Sequence, residues 1–171
     1  MKKAIYFLTF TLLVSLLSSF NILDETPIKS NKKLLKGTWE VTNIRFVGDK
    51  GLYKANLFEI ADSPCFNGSQ WIFVPNNGSG KFTVNSSAHC ETSTHRIHWS
   101  YIESDDETAI MQFKFVNNKN KPLDPENRGY RVNIENLDAA SMEMRITTTY
   151  EGNPFDVVMT FSKVSSKVRL K

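Results

Sequence analysis

From Gly37 onward, apolar residues recur at every second position over most of the chain, a period that predicts strands. The first strand is expected from about Thr38 to Val47. Trp39 and Val41 lie on one face and Ile44 and Phe46 on the other parity, so a bulge or bend is predicted near Thr42–Asn43. Gln70–Val74 follows with Trp71 and Phe73 in phase, and Lys81–Asn85 with Phe82 and Val84. Thr94–Ile102 sets His95, Ile97, Trp99 and Tyr101 on one face, and Ala109, Met111, Phe113 and Phe115 alternate next. The last three runs carry Tyr130, Val132 and Ile134, then Met142, Met144, Ile146 and Thr148, then Phe155, Val157, Met159 and Phe161. Turns are read at 75–80, 104–107, 137–140 and 151–154, and a polar loop at 117–128. Only 48–64 breaks the alternation. Within it Tyr53–Ala61 predicts a short helix, with Leu57, Phe58 and Ile60 available to pack.

This makes eight strands with no βα alternation, no heptads and no internal repeat. One apolar and one polar face on eight antiparallel strands suits a closed barrel or a two-sheet sandwich. Closure disposes of exposed edges in a single meander. A barrel of eight strands encloses room for side chains or for one small ligand, and not for a channel.

The N-terminus adds a compartment to this picture. Lys2 and Lys3 precede an uncharged apolar run from Ala4 to Leu17, and Ser18 and Ser19 follow, which reads as a signal peptide over residues 1–20. The run is shorter than the roughly 20 apolar residues of a membrane span, which favours a cleaved leader over the alternative of an uncleaved anchor; no stable insertion is expected once the leader is removed. Residues 21–36 read as a polar linker, 37–164 as the domain and 165–171 as a basic tail. The two cysteines, Cys65 and Cys90, are an even count in an exported chain and read as one disulfide. The protein is expected to be exported, periplasmic or secreted.

With 171 residues the chain has room for one domain, and 40% hydrophobic residues rule out a disordered one. Its formal charge of +3 comes from the leader and the tails. Between Gly37 and Ser162 there are 11 Lys+Arg against 16 Asp+Glu, a net of −5, which disfavours a general nucleic-acid-binding face.

Candidate chemistry is sparse. His89, His95 and His98 sit near Cys90 and Glu91, but residues 95 and 98 point to opposite faces of a strand. His89 and His95 lie about 20 Å apart along extended chain, so no metal site is expected. His95 is read as partly buried on the apolar face and His98 as facing solvent. The sequence has no Gly-x-Ser-x-Gly, no phosphate-cradling loop and no dinucleotide fingerprint. Asp124–Gly129 imitates only part of a calcium loop. Asn67-Gly and Asn77-Gly read as turns. No catalytic residue and no cofactor is assigned.

Leu35-Lys36-Gly37-Thr38-Trp39-Glu40-Val41 resembles the Gly-x-Trp opening of the lipocalins. The order of Cys65, Ser69-Gln70-Trp71-Ile72-Phe73, Cys90, Ile97-His98-Trp99 and Phe161-Ser162-Lys163 is similar to exported lipocalin-like proteins of the Bacteroidetes type, over residues 34 to 164. The resemblance implies an all-β fold: an eight-stranded antiparallel up-and-down β-barrel with a short helix after the first strand, closed at one end and open at the other. It also implies that Gly37 and Trp39 form a structural motif, with Lys163 or Arg169 as a cation over the Trp39 ring. The rival reading is a solvated Lys and a Trp that is simply core. With the aromatic phases pointing inward, Trp71, Phe73, Phe82, Trp99, Tyr101, Met111, Phe113, Tyr130 and Met144 are the expected ligand-binding residues. The same residues could instead fill the interior. The leading expectation is thus a non-enzymatic, monomeric, exported binder of a small hydrophobic or amphipathic molecule. The alternative is a cell-envelope structural or interaction module with a filled barrel.

Overall fold

The computed structural model describes residues 32–48, 55–103, 109–150 and 152–164. The signal peptide, most of the linker, the basic tail with Arg169, and the turn around 104–107 lie outside the described residues. Ten strands follow in chain order: β1 (Gly37–Val47), β2 (Asn56–Leu57), β3 (Ala61–Asp62), β4 (Gln70–Val74), β5 (Ser79–Val84), β6 (Ser93–Glu103), β7 (Ala109–Phe115), β8 (Tyr130–Glu135), β9 (Ser141–Tyr150) and β10 (Asn153–Lys163). Eight of them close into an antiparallel up-and-down barrel in the order β1-β10-β9-β8-β7-β6-β5-β4. Closure falls on β1, which pairs with β10 along its length and with β4 through Gly37–Glu40. The sandwich is therefore excluded. Between Val41 and Asn43 the β1–β10 register shifts, and this bulge carries Ile44 and Phe46 onto the parity the sequence assigned them.

Register stacks the inward side chains in layers. Trp39, Trp71, Phe82 and His95 are successive cross-strand partners, as are Ile44, Met159, Met144, Ile134 and Ala109. Trp39, Trp71 and Phe82 are wholly buried, and Trp71 stacks on Phe82 with ring centroids 4.1 Å apart. Aromatic burial of this kind supplies most of the driving force, at about 25 cal/mol per Å² of apolar surface.

One end of the barrel is closed by the segment before β1. Lys32–Leu35 forms a 3-10 turn with Leu35 wholly buried. Trp39 Nε1 donates to the Leu35 carbonyl at 2.9 Å, and Lys163 Nζ donates to the Leu34 carbonyl at 2.8 Å. Lys163 Nζ also lies 4.8 Å from the centre of the Trp39 ring, so the solvated-Lys alternative does not apply. Lys32 sits similarly over Trp99 at 5.1 Å.

The helix expected at Tyr53–Ala61 is not formed by its described part. Residues 56–62 make the two-stranded β2–β3 hairpin, whose turn residues Phe58 and Glu59 both hold left-handed backbone (φ +57 and +58). Leu57 and Phe58 find apolar partners below them in the barrel mouth, and that tertiary burial outweighs the helical preference of so short a stretch. The only helical turn between β1 and β4 is the 3-10 turn Ser63–Phe66, among the described residues.

Candidate functional site

The end of the barrel opposite Trp39 carries the β2–β3 hairpin and the β5–β6 and β7–β8 loops. The hairpin and the 3-10 turn after it form a lid. Its N-terminal side is pinned by the Ser63 amide donating to the Ala55 carbonyl at 2.7 Å. Its C-terminal side is pinned to β1 by the Gly68 amide on the Val41 carbonyl at 2.8 Å and the Val41 amide on the Ser69 carbonyl at 3.0 Å. A Cys65–Cys90 disulfide (Cα–Cα 5.6 Å) ties the lid to the β5–β6 loop, so the pairing read from the sequence is present. Asn85 Nδ2, from that same loop, donates to the Gly68 carbonyl at 2.7 Å. Gly68 holds φ +75 and Gly78 φ +63, in keeping with the Asn-Gly turns read from the sequence.

From the hairpin tip, Phe58 drops its ring into the barrel mouth. It meets Phe66 (5.7 Å), Phe113 (5.1 Å) and Tyr130 (5.3 Å) edge to face, and Trp71 at 6.2 Å. Tyr130 Oη donates to the Phe58 carbonyl at 2.9 Å and so fixes the tip to β8. Beside this plug a cleft of about 420 Å³ opens between the hairpin tip and the β7–β8 loop. Ile60, His95, Phe115, Leu123 and Tyr130 give it apolar walls, and Glu59, Asp124 and Arg128 a charged rim. Leu123 is 60% exposed, more than any other large apolar side chain among the described residues.

His95 packs its ring between Phe82 and Phe115, with centroids 5.2 and 5.4 Å away. Its Nε2 is buried and has no hydrogen-bond partner among the described residues, and burial lowers its pKa below the usual histidine value. The Tyr130 hydroxyl is held neutral more firmly than usual by burial and by nearby Glu59 and Asp124. Burial alone would raise the Asp124 carboxyl, but the Glu126 amide and Arg128 outweigh it and hold the group below the ordinary aspartate value. Asp124 Oδ1 accepts from the Glu126 amide at 2.7 Å and Oδ2 from Arg128 Nε at 2.8 Å, so this loop satisfies itself.

The residues expected to bind ligand divide into two groups. Trp71, Phe73, Phe82, Trp99, Met111, Phe113 and Met144 are at most 2% exposed and pack against one another as core. Tyr101 and Tyr130 are half-buried, and of the nine only Tyr130 lines the mouth cleft. The Tyr101 hydroxyl is pushed up to about 12, by burial and by Glu103. Phe58, Phe66, Ile60 and Leu123 were absent from that expectation. They lie where the two-residue period fails, and nothing in their spacing signals that the lid would bring Phe58, Ile60 and Phe66, and the β7–β8 loop Leu123, to the mouth. Among the described residues no group of three metal-ligating side chains comes together, and no helix is long and apolar enough to cross a membrane. His95 points inward at the mouth, whereas His98 lies on the outer wall.

Fold and site together define a closed eight-stranded up-and-down barrel with a disulfide-tethered lid over one end. No protein family model matches the chain, and no curated protein matches it by sequence. Among solved structures it is similar to bovine odorant-binding protein complexed with its natural ligand, at 15% identity over 81% of this chain and 77% of that one, with a TM-score of 0.42. It is also similar to the complex of bovine odorant-binding protein with undecanal, at 12% identity, 81% and 77% coverage and a TM-score of 0.41.

Proposed function

We propose that this protein is an exported, non-enzymatic binder of one small hydrophobic or amphipathic molecule, held at the lidded mouth of the barrel. The observation that carries this reading is the mouth cleft. Its 420 Å³ lies within the usual size range of small-molecule sites, and its lining is mixed, with apolar Ile60, Phe115 and Leu123 beside charged Glu59, Asp124 and Arg128, which suits an amphipathic molecule. Phe115, Leu123 and Ile60 offer apolar surface, while His95 Nε2 is a buried polar atom able to make one orienting hydrogen bond. Export is supported by the disulfide, which persists in oxidising compartments. Native mass spectrometry of the purified protein tests for a co-purified ligand. Titration with fatty acids, haem or bile-acid-like compounds should shift Trp71 emission through Phe58, and His95→Leu should weaken binding about tenfold, the worth of one hydrogen bond. If no such compound changes fluorescence or melting temperature, this reading fails.

A second reading, an envelope interaction module with a filled barrel, is favoured by the interior itself. Trp71, Phe73, Phe82, Met111 and Met144 are packed to at most 1% exposure, and Phe58 fills the space above them. In that case the outer surface and loops would carry the function.

A further inference from the structure

The outer wall over β5 to β8 differs in charge from the rest of the barrel. Its outward side chains include Lys81 on β5, Arg96 and His98 on β6, Lys114 on β7 and Arg131 on β8. Register sets Lys81 directly across from Arg96, and His98 across from Lys114. Juxtaposed cations lower sheet stability, so the fold gains nothing from this arrangement. Three described acids on β8 and in its adjoining loop are engaged with other arginines. Glu135, further along β8, receives Arg145 through both oxygens at 2.7 and 3.0 Å. Asp124 and Glu126 in the adjoining loop both hold Arg128, at 2.8 and 3.4 Å. Among the described residues no ion pair reaches Lys81, Arg96, Lys114 or Arg131. On the opposite wall, by contrast, Arg45 meets Glu143 at 3.1 Å and Arg145 meets Asp156 at 2.9 Å.

A groove of about 550 Å³ crosses the cationic wall; beside Trp99, Phe113, Gly129 and Tyr130 it is lined by His98, Ser100, Gln112, Lys114, Asn127 and Arg131, whose side chains carry its polar groups. Each of these can donate a hydrogen bond, and no carboxylate lines the groove. Two neutral amides position the two fixed charges. Lys114 Nζ donates to Asn127 Oδ1 at 2.7 Å, and with the Gln112 amide turned so that its oxygen faces the guanidinium, Arg131 Nε and Nη2 donate to it at 3.2 and 2.7 Å. Both amide nitrogens are left as donors, along with the remaining ammonium and guanidinium hydrogens. Cations held by neutral partners, among hydroxyl and amide donors and without an acid, complement an oxyanion. Lys81 and Arg96 continue the cationic surface beyond the groove, so the positive wall is wider than a single phosphate. The concave groove beside the β7–β8 loop suits a solvated chain better than a flat bilayer.

We propose that this groove binds a phosphate or sulfate ester carried on a polar, hydroxyl-rich molecule of the charged-glycan type. The groove lies on the outer wall and adjoins the mouth cleft at Gly129 and Tyr130, while its charged side chains, Lys114 and Arg131, line the groove and not the cleft.

The test is a titration of the isotope-labelled protein with a heparin-derived hexasaccharide at low salt, followed by backbone amide shifts. Saturable binding is expected, with shifts confined to residues 98–100, 112–114 and 127–131. Lys114→Gln with Arg131→Gln should weaken it about tenfold or more. Lys119→Gln with Lys121→Gln, which removes equal charge from the adjoining β7–β8 loop outside the groove, should change it less than about twofold. Inorganic sulfate should compete for the same amides. Equal weakening by both double variants overturns the proposal, because it reports diffuse attraction, as does the absence of saturable binding. Binding only to vesicles of phosphatidylcholine and phosphatidylglycerol overturns it too, by assigning the surface to lipid headgroups. If the groove double variant does not fold, Arg131→Lys keeps the charge and loses the planar fork, and should weaken binding about threefold. Undiminished binding in Arg131→Lys counts against the site.

Discussion

Phe58 holds left-handed backbone that a bulky side chain adopts only under constraint, at a cost of about 1–3 kcal/mol. What holds it there is its ring, 5% exposed among Phe66, Trp71, Phe113 and Tyr130, and its carbonyl under the Tyr130 hydroxyl. Burying a Phe of this kind stabilises by more than the strain costs, so Phe58→Ala should destabilise the protein by about 2–4 kcal/mol in denaturant titrations. The same variant should open the mouth and raise the affinity for an apolar fluorescent dye. Unchanged stability would mean the plug is idle. Val158 is another residue whose state follows from its neighbours. It points outward yet is wholly buried, because the register sets it between Arg45 and Arg145, whose aliphatic stems cover it.

The lid is the element whose stability rests least on the barrel ladder. β2 and β3 pair through only two residue pairs, and the segment is otherwise held by the disulfide and a few backbone hydrogen bonds at its ends. The bond closes a separation of 25 positions, for which chain entropy gives about 3–4 kcal/mol. Replacing both Cys65 and Cys90 by Ser should lower stability by up to that amount. It should also speed hydrogen exchange at lid amides around 55–68 well before those of β9 and β10. Uniform acceleration across all strands would show that the tie stabilises the whole barrel and not the lid. This element was also the least legible in the sequence. Leu57, Phe58 and Ile60 have a spacing that suits one helical face, and only contact with the mouth decides for a turn. The strands were legible because each has one buried face: Trp71 and Phe73, or Met111 and Phe113, repeat the pleat of the backbone itself. The β1 bulge was legible for the same reason, as a change of parity between Val41 and Ile44.

At the scale of the molecule, two titrations should shape stability against pH. His95 is harder to protonate in the folded state, because burial opposes the charge. Above its ordinary value of 6.5 it is neutral in both states. As pH falls through 6.5 the unfolded chain takes up a proton that the folded form refuses, so stability declines. Asp138, bonded by the Ala140 and Ser141 amides, is held below its ordinary carboxylate value. So is Glu143, where contacts to Arg45 and Asn136 outweigh the opposing effect of burial. Their stabilisation is complete above about pH 4.5 and is lost as pH falls further. The melting temperature should therefore drop in two stages on acidification, and His95→Phe should remove the upper one. A single drop below pH 4.5 in the unmodified protein would contradict this role of His95.

The sequence by itself determined eight antiparallel strands and narrowed the fold to a closed barrel or a sandwich; the pairing of β1 with both β4 and β10 decided for the barrel. Alternation specifies which face of each strand is buried, short polar turns specify antiparallel neighbours, and eight such strands meet the condition for closure. The Cys pair was legible too, from number and compartment. Tertiary structure alone decided what occupies the interior and what the surface offers. A two-residue period says that Trp71, Phe82 and Met144 point inward, but whether they enclose a space or fill it depends on side-chain packing and on a lid residue from outside the pattern. In the same way, a net of −5 over the domain concealed a wall of cations, because only cross-strand register settles which charges meet. The opening pattern thus specified the strands of the container, while its closure, its contents and its outer chemistry were set by contacts between residues far apart in the chain.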